Sequence, residues 1–369
     1  MSKNPVIIYG ASGYTGRLIA EYLRDSGIPF TAAGRSKAAV EAGMAAVPGI
    51  ETAKFDIIEV PHEVDALTAA FEGRTVVCNV VGPFITKGAT TVEAALKAGI
   101  HYIDTSGEQR SFITARDDWG QKYADKNLVC APGTAYMYAP AEIVARIALE
   151  TRGTDSVDGL TLFDGIPTFT STQSIYVLLK EEAHFLLNNE LTAWPRARGY
   201  EVQVPGYHET KLALPWSGTG NPVWLKDEPN VRNCKWLAGV LNREVMSGVL
   251  AMQQEYEENV RPLPADEQER VLLERASGVQ QSMPPRENPL VHRTIDSAMA
   301  RGATAASHYA LFGTCAYKQT GVIQAAAVQH LLNARPFATG FASPCSAFGH
   351  RQLLARLESY GLSRLHRFY

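Results

Sequence analysis

The sequence has few of the features that mark secreted, metal-binding or membrane-spanning proteins. It has 369 residues and five cysteines, none in a Cys-x-x-Cys pair: Cys78, Cys130, Cys234, Cys315 and Cys345. An odd number of widely spaced cysteines argues against a disulfide framework and a structural zinc site. No uncharged apolar stretch of about 18 residues occurs, so we expect no membrane span. The opening MSKNPVIIYG lacks the apolar run of a signal peptide, so we expect a cytoplasmic protein.

The chain also lacks an excess of charge of either sign. It has 35 Lys and Arg against 38 Asp and Glu, for a net charge of −3. Without a basic excess, no field exists to hold the phosphate backbone of a nucleic acid. The nine histidines show no metal-ligand spacing, so we expect no metal. A small molecule is therefore the expected partner, and nucleic acid is not.

Residues 1–150 alternate short β-rich runs with amphipathic helical patterns, which is typical of a doubly wound parallel sheet. The predicted strands are Val6–Tyr9, Phe30–Ala33, Lys54–Ile57, Thr75–Val81, His101–Thr105 and Leu128–Ala131. The predicted helices are Tyr14–Arg24, Lys37–Ala46, Val60–Phe71, Thr90–Ala98 and Phe112–Asp125. The fold class is therefore α/β, with an N-terminal domain of this kind.

Residues 151–369 mix the two kinds of pattern and predict an α+β substrate and dimerisation domain. The predicted strands are Gly159–Phe163, Glu201–Val204, Lys211–Pro215 and Pro222–Lys226, and the predicted helices are Ser174–Asn188, Arg243–Val260, Val322–Asn333 and Ser346–Tyr360. The last helices, about residues 340–369, could instead pack back on the first domain. The many large aromatic residues suit either a pocket for a bulky apolar substrate or an ordinary core with a dimer interface.

The strongest motif is GASGYTG, which follows the first predicted strand and opens a helix. Glycines at positions 10, 13 and 16 let the backbone turn sharply and approach a pyrophosphate, which faces the N–H groups of the helix N-terminus. Because the motif starts a βαβ unit, it predicts a Rossmann dinucleotide-binding domain rather than a plain tight turn.

The residues after the second strand predict which dinucleotide binds. An NAD-selective site usually has an Asp or Glu there, which accepts from the ribose 2′-OH. This chain has Arg35, Ser36 and Lys37 instead, which could hold a 2′-phosphate. We therefore expect NADP(H) to be preferred over NAD(H), the alternative being an ordinary solvated turn. By the same rule, the loop at Asn79–Phe84, which follows the fourth strand, should run beside the cofactor.

Three stretches carry a family resemblance: GASGYTGRLIAEYL, AAGRS and GPFITKGATTVEAALKAGIHYIDTSGE. They resemble the N-terminal domain of saccharopine dehydrogenase-like oxidoreductases. The closing stretches TGVIQAAAVQHLL and GFASPCSAFGHRQLLARLESYGL are similar to the C-terminal part of that group's trans-acting enoyl reductase branch. The resemblance covers about residues 5–150 and 318–362, and the middle poorly.

The resemblance implies hydride transfer with a nicotinamide cofactor, and a homodimer. It implies a phosphate loop made of Gly10, Ser12, Gly13, Tyr14, Thr15 and Gly16. Arg35 and Ser36 would meet the adenosine ribose, and Gly82, Pro83 and Phe84 would lie along the nicotinamide. The paired Arg and carboxylate contacts of the amino-acid-forming members have no match here, which disfavours an amino-acid dehydrogenase.

Two pairs of residues are candidates for the proton donor that hydride transfer commonly needs. Tyr136 and Tyr138 follow the sixth strand, and either phenol could stabilise an enolate-like oxygen, although packing would equally explain them. Tyr176 and Lys180 have a Tyr-x-x-x-Lys spacing on one predicted helix, where an ammonium can lower the pKa of a phenol. A solvated helix face is the alternative for that pair.

The sequence as a whole predicts an NADPH-dependent reductase. Reduction of a C=C bond conjugated to a carbonyl is favoured because of the resemblance to the enoyl reductase branch. Reduction of an imine or ketone of a small metabolite is the first alternative. A nucleotide-binding protein without catalysis, serving as a sensor or partner subunit, is the second.

Overall fold

The computed structural model describes residues 3–165, 167–279 and 283–369. The chain forms two compact units. The first holds residues up to 106, residues 110–139 and residues 317–362, and the second holds residues 107–109, 140–316 and 363–369. The described strands are β1 (Val6–Tyr9), β2 (Phe30–Gly34), β3 (Phe55–Glu59), β4 (Val76–Asn79), β5 (His101–Asp104), β6 (Val129–Ala131), β7 (Ser156–Phe163), β8 (His184–Leu187), β9 (Glu190–Ala193), β10 (Tyr200–Gln203), β11 (Thr210–Ala213), β12 (Asn233–Val240), β13 (Arg293–Arg301), β14 (Ala306–Thr314), β15 (Gly340–Phe341) and β16 (Ser363–Arg367).

The helices connect these strands in both units. They are α1 (Tyr14–Asp25), α2 (Lys37–Ala45), α3 (Val64–Phe71), α4 (Phe84–Ala98), α5 (Gln109–Thr114), α6 (Gly120–Asp125), α7 (Tyr138–Leu149), α8 (Phe169–Leu178), α9 (Asn221–Trp224), α10 (Arg243–Glu255), α11 (Ala265–Ser277), α12 (Ala316–Asn333), α13 (Pro344–Phe348) and α14 (His350–Ser359). None of those described is long and apolar enough to cross a membrane.

The first unit is built on a seven-stranded parallel sheet in the order β15-β6-β5-β4-β1-β2-β3. All four residues of β1 are fully buried, as expected for a parallel strand covered on both faces. The chain reverses its direction of winding at β1, which lies between β2 and β4, so Tyr9 has Ala33 on one side and Asn79 on the other. The predicted α/β class with an N-terminal Rossmann sheet is confirmed.

The C-terminal helices lie in the first unit, and α12 joins them from residue 317 onward. The sequence placed residues 317–339 in the second domain, because a helical period does not tell which sheet a helix packs against. Gly321 of α12 lies so close to α1 that a Cβ there would meet the ring of Tyr22 at 2.5 Å and the carbonyl oxygen of Leu18 at 3.1 Å. Strand β15 pairs with β6 and is only two residues long, too short to give a sequence pattern.

The second unit is built on a mixed sheet in the order β16-β14-β13-β7-β12-β8-β9, with a separate β10-β11 hairpin. Strands β7 and β12 are parallel, whereas β13 and β14 run antiparallel to their neighbours. One core cluster joins Leu160, Leu162 and Ile295 of the sheet to Val204 and Ala213 near the hairpin. This mixture agrees with the α+β domain predicted from the sequence.

Two predicted elements of the second unit are wrong. The helix predicted over Ser174–Asn188 ends at Leu178, and His184–Leu187 is a strand. Asn188 and Asn189 both have positive φ, at 50° and 66°, so they form the tight turn of the β8-β9 hairpin. The strand predicted over Pro222–Lys226 is instead the short helix α9, in whose first turn Pro222 is well tolerated.

The close approach of α12 to α1 gives a test of the first unit. We expect Gly321→Ala to lower its free energy of unfolding by about 1–3 kcal/mol, because the added methyl group overpacks the helix contact. Denaturant titration followed by circular dichroism measures this. Gly248→Ala in α10 is the matched control, since a Cβ there meets nothing within 4 Å. Equal stability of the two variants would contradict the helix contact.

Candidate functional site

The loop between β1 and α1 passes between the ends of the central strands. Gly10 has φ +95°, and a Cβ on it would lie 2.9 Å from the Cγ2 atoms of both Val80 and Val81. The backbone N–H groups of Gly10 and Ala11 both donate to the carbonyl oxygen of Ala33, at 2.9 and 3.1 Å. The loop is therefore fixed to β2 on one side and packed against the end of β4 on the other.

Gly16 sets the shape of the turn into α1. A Cβ there would lie 2.6 Å from the carbonyl oxygen of Gly10 and 2.7 Å from the Cα of Ala11, so the backbone has no room for a side chain. Helix α1 has Gly13 at its N-cap and no acidic residue in its first turn. Its N-terminus can thus receive a negatively charged group, and the cradle fits a pyrophosphate.

The residues after β2 differ in what their side chains contact. Ser36 caps α2, since its Oγ accepts from the backbone N–H of Ala39 at 3.3 Å. The backbone N–H of Lys37 donates to Glu59 Oε2 at 2.7 Å, and Lys37 Nζ lies 3.9 Å from Glu41 Oε1 in an exposed pair. The Arg35 side chain is exposed and, within the described residues, forms no ion pair.

The structure adds two basic residues that the sequence did not single out. Tyr9 hydrogen-bonds His62 Nδ1 at 2.9 Å, and their rings are parallel with centroids 5.9 Å apart. His62 also lies against the backbone of Lys87, in the first turn of α4. Burial lowers the pKa of the Lys87 ammonium, and the Arg35 charge lowers it further. We call Arg35, His62 and Lys87 the basic cluster.

Lys87 is not among the residues predicted from the sequence, because the helical pattern predicts a helix that starts at Thr90, whereas α4 begins at Phe84. Pro83 was the available signal, since proline is common where a helix starts. His62 gave no signal, because it follows β3 and meets Tyr9 only through the fold.

The loop after β4, expected to line the cofactor, is held by a buried side chain. Asn79 Oδ1 accepts from the backbone N–H of Val81 at 3.1 Å. The Gly82–Pro83 bond is cis, and the carbonyl oxygen of Pro83 accepts from the backbone N–H of Lys87 at 3.0 Å. The loop residues thus lead directly into α4, whose first residue is Phe84.

A buried carboxyl group ties the neighbouring loops together. Asp104 Oδ1 accepts from the N–H and Oγ of Ser106, at 2.8 and 2.6 Å, and from the N–H of Gly133 at 2.8 Å. Its Oδ2 accepts from the hydroxyl of Tyr102 at 2.8 Å. Burial raises the pKa of Asp104, and these hydrogen bonds act in the opposite direction. The loops after β5 and β6 are therefore fixed to one another.

Two further side chains extend this network. Asn79 Nδ2 donates to the hydroxyl of Tyr102 at 3.0 Å, which joins the loop after β4 to the same group. Gln324 of α12 donates from Nε2 to the carbonyl oxygens of Asp104 and Thr134, at 3.0 and 2.7 Å. Because a buried donor left without a partner costs about 1–3 kcal/mol, this network holds the carboxyl edge of the sheet rigid.

The candidate acids Tyr136 and Tyr138 lie just after the Asp104 network in sequence. Tyr138 is the first residue of α7, is buried, and meets the ring of Phe112 edge-on at 5.7 Å. Tyr136 is half-buried, and its backbone N–H donates to Thr320 Oγ1 at 3.0 Å. Both lie in the first unit, so both stay candidates.

Tyr176 lies within helix α8, whereas Lys180 lies beyond the end of that helix. Helix α8 ends at Leu178, so the two residues do not lie one turn apart on a helix as predicted. Tyr176 packs against a core cluster that includes Leu179 and Tyr256, and Lys180 is exposed. The helical Tyr-x-x-x-Lys geometry does not form, because α8 ends before Lys180.

Comparison with protein families identifies both parts of the chain. Residues 139–365 match a family model described as "Family of unknown function (DUF5938)". Residues 6–129 match the "Saccharopine dehydrogenase NADP binding domain". The second match confirms the resemblance that the sequence predicted, and with it the expected NADP(H) cofactor.

Each of three similar curated proteins matches less than half of this chain. The "Lipid droplet localized protein" of Caenorhabditis elegans is 28% identical over 152 residues, 39% of this chain and 35% of that protein. The human "Saccharopine dehydrogenase-like oxidoreductase" is 27% identical over 155 residues, 37% and 35% of the two chains. The "Trans-acting enoyl reductase" of Mycobacterium tuberculosis (strain H37Rv) is 34% identical over 126 residues, 32% and 29%. The chain thus spans about a third of the length of these relatives.

The close approach at Gly16 predicts how the phosphate loop responds to a side chain. We expect Gly16→Ala to raise the Kd for NADPH roughly tenfold or more, because the loop must move away from Gly10 and misplaces its N–H groups. NADPH fluorescence titration measures this, with Gly248→Ala as the control that changes a glycine in open space. An unchanged Kd in Gly16→Ala would show that the loop does not contact the nucleotide.

Proposed function

We propose that this chain, which belongs to the family of unknown function DUF5938, is an NADP(H)-dependent oxidoreductase acting on a small molecule. The observation that carries the proposal is the glycine loop at the point where the sheet reverses its winding, in a segment that matches an NADP binding domain. Ligands bind at this point in open α/β sheets.

The residues of the first unit would divide the work of holding the cofactor. The pyrophosphate would be bound by the loop of Gly10, Ser12, Gly13, Tyr14, Thr15 and Gly16. The adenosine end would be bound by Arg35, with Ser36 and Lys37 beside it. Gly82, Pro83 and Phe84 would lie along the nicotinamide, fixed by Asn79. When bound, the nicotinamide supplies or accepts the hydride. The rigid edge around Asp104 would keep the cofactor in one place during transfer.

We favour reduction of a C=C bond conjugated to a carbonyl. Hydride would add to the β-carbon, the electron pair would move to the carbonyl oxygen, and a proton would complete the reduction. Tyr138 or Tyr136 would donate to that oxygen. The resemblance to the trans-acting enoyl reductase supports this version. Reduction of an imine or ketone needs the same cofactor and the same donor, and is the alternative.

We also propose that the protein is a cytoplasmic homodimer. The compartment is proposed from the cysteine usage, and the dimer from the family resemblance. The partner of the second unit's aromatic residues would be a bulky, apolar small molecule, because such side chains suit an apolar pocket.

Turnover with a substrate panel tests the proposed activity. We expect NADPH oxidation, followed at its absorbance band, with at least one of a set of α,β-unsaturated ketones, saturated ketones and cyclic imines. Enones turning over faster than the matched saturated ketones would support the favoured version. Tight NADPH binding without turnover of any class would instead favour a sensor or partner subunit, the second alternative from the sequence.

Replacing the candidate acid tests its role. Tyr138→Phe keeps the ring that packs on Phe112 but removes the hydroxyl, so we expect kcat to fall by about 10²-fold or more while the Kd for NADPH is unchanged. Tyr369→Phe is the matched control, because this tyrosine lies beyond the end of β16 and is half-exposed. A normal rate in Tyr138→Phe would pass the role to Tyr136, tested in the same way. Tyr176→Phe and Lys180→Met apply the same measurement to the remaining pair.

A further inference from the structure

Three loops of the first unit bring side chains together around Tyr9, the last residue of β1. In the sheet, Tyr9 lies between Ala33 of β2 and Asn79 of β4. Arg35 follows Ala33 by two residues, and His62, just after β3, stacks on the Tyr9 ring. Lys87 lies in the first turn of α4, against His62. The basic cluster therefore gathers at the carboxyl edge, next to the glycine loop.

The cluster carries two positive charges and no negative one. Arg35 follows β2, His62 stacks on Tyr9 at the end of β1, and Lys87 lies in the first turn of the helix after β4. The Arg35 charge lowers the pKa of His62 and of Lys87, as expected for cations at the same edge of the sheet. Burial lowers the pKa of His62, and the charges of Lys87 and Arg35 lower it further, which favours the neutral form of the ring. Within the described residues, neither Arg35 nor Lys87 has a carboxylate partner. Two like charges held close without a counter-ion favour a bound anion.

Lys37, a further basic residue near this edge, is differently placed. Lys37 is more than half exposed, and its ammonium lies near Glu41 on the same face of α2. Its backbone N–H is bonded to Glu59. The Ser36 hydroxyl caps the same helix. These two residues shape the turn, whereas Arg35 and Lys87 leave their charge available.

We propose that Lys87 binds the 2′-phosphate of NADP(H) together with Arg35, and that this pair, rather than Lys37, makes the site selective for the phosphorylated dinucleotide. The proposal rests on the NADP(H) cofactor of the proposed function. A phosphate monoester carries between one and two negative charges at pH 7, which the two cations match. His62 hydrogen-bonds Tyr9 at the end of β1 and lies against the backbone of Lys87, so it links β1 to the start of α4.

The test compares NADPH and NADH on the full chain by fluorescence titration, with 2′,5′-ADP as a competitor. We expect Lys87→Met to raise the Kd for NADPH and for 2′,5′-ADP about tenfold to a hundredfold, because a charge-assisted contact to phosphate is lost. The Kd for NADH should change by less than about twofold, because the two nucleotides differ only in that phosphate. Lys87→Arg should keep the preference.

The matched control is Lys97→Met on the same helix, whose ammonium pairs with Glu93 at 2.9 Å, and it should leave both Kd values unchanged. Equal weakening of NADPH and NADH by Lys87→Met would overturn the proposal, as would an unchanged NADPH Kd. A larger loss of NADPH selectivity in Lys37→Met would overturn it in favour of Lys37. A wild-type chain that binds neither nucleotide would refute the proposed function as well. Failure of the Lys87 proposal alone is therefore distinguishable, because the wild-type chain would then still bind NADPH.

Discussion

A Cβ on Gly16 of α1 would lie 2.6 Å from the carbonyl oxygen of Gly10, and a Cβ on Gly10 would lie 2.9 Å from Val80 and from Val81. The turn between β1 and α1 therefore exists only without side chains at these points. The sheet reverses its direction of winding at β1, which lies between β2 and β4. The same turn therefore brings the N-terminus of α1 to the carboxyl edge of the sheet at this point. The proposed dinucleotide site depends on that close approach of the backbone.

The site has a rigid part and a charged part, and they arise differently. Asp104 is buried and accepts four hydrogen bonds, so the loops after β5 and β6 keep a single arrangement, with Asn79 and Gln324 attached. The basic cluster is more exposed, and within the described residues its cations have no carboxylate partner. Rigid loops and an unneutralised charge are together what selective binding of an anionic cofactor requires.

The glycine loop and the strands β1–β6 were predictable because each rests on local rules of backbone geometry and periodicity. Lys87 was not predictable, because the sequence pattern starts α4 at Thr90 and only the fold brings Lys87 to the same edge as His62 and Arg35, which are 25 and 52 positions away in sequence. The helix predicted over Ser174–Asn188 ends at Leu178 instead. Asn188 and Asn189 form the turn of the β8-β9 hairpin, and β8 pairs with β12, so pairing between strands outweighs helix propensity in this segment. The substrate itself has no local signature in residues 151–316.

The central claim is that the first unit binds NADP(H) in preference to NAD(H), and isothermal titration of the unaltered protein tests it most directly. NADPH should bind at one site per chain and at least about tenfold more tightly than NADH, with the difference shrinking as salt screens the 2′-phosphate contact. Equal affinity for the two nucleotides, or tighter binding of NADH, would contradict the account.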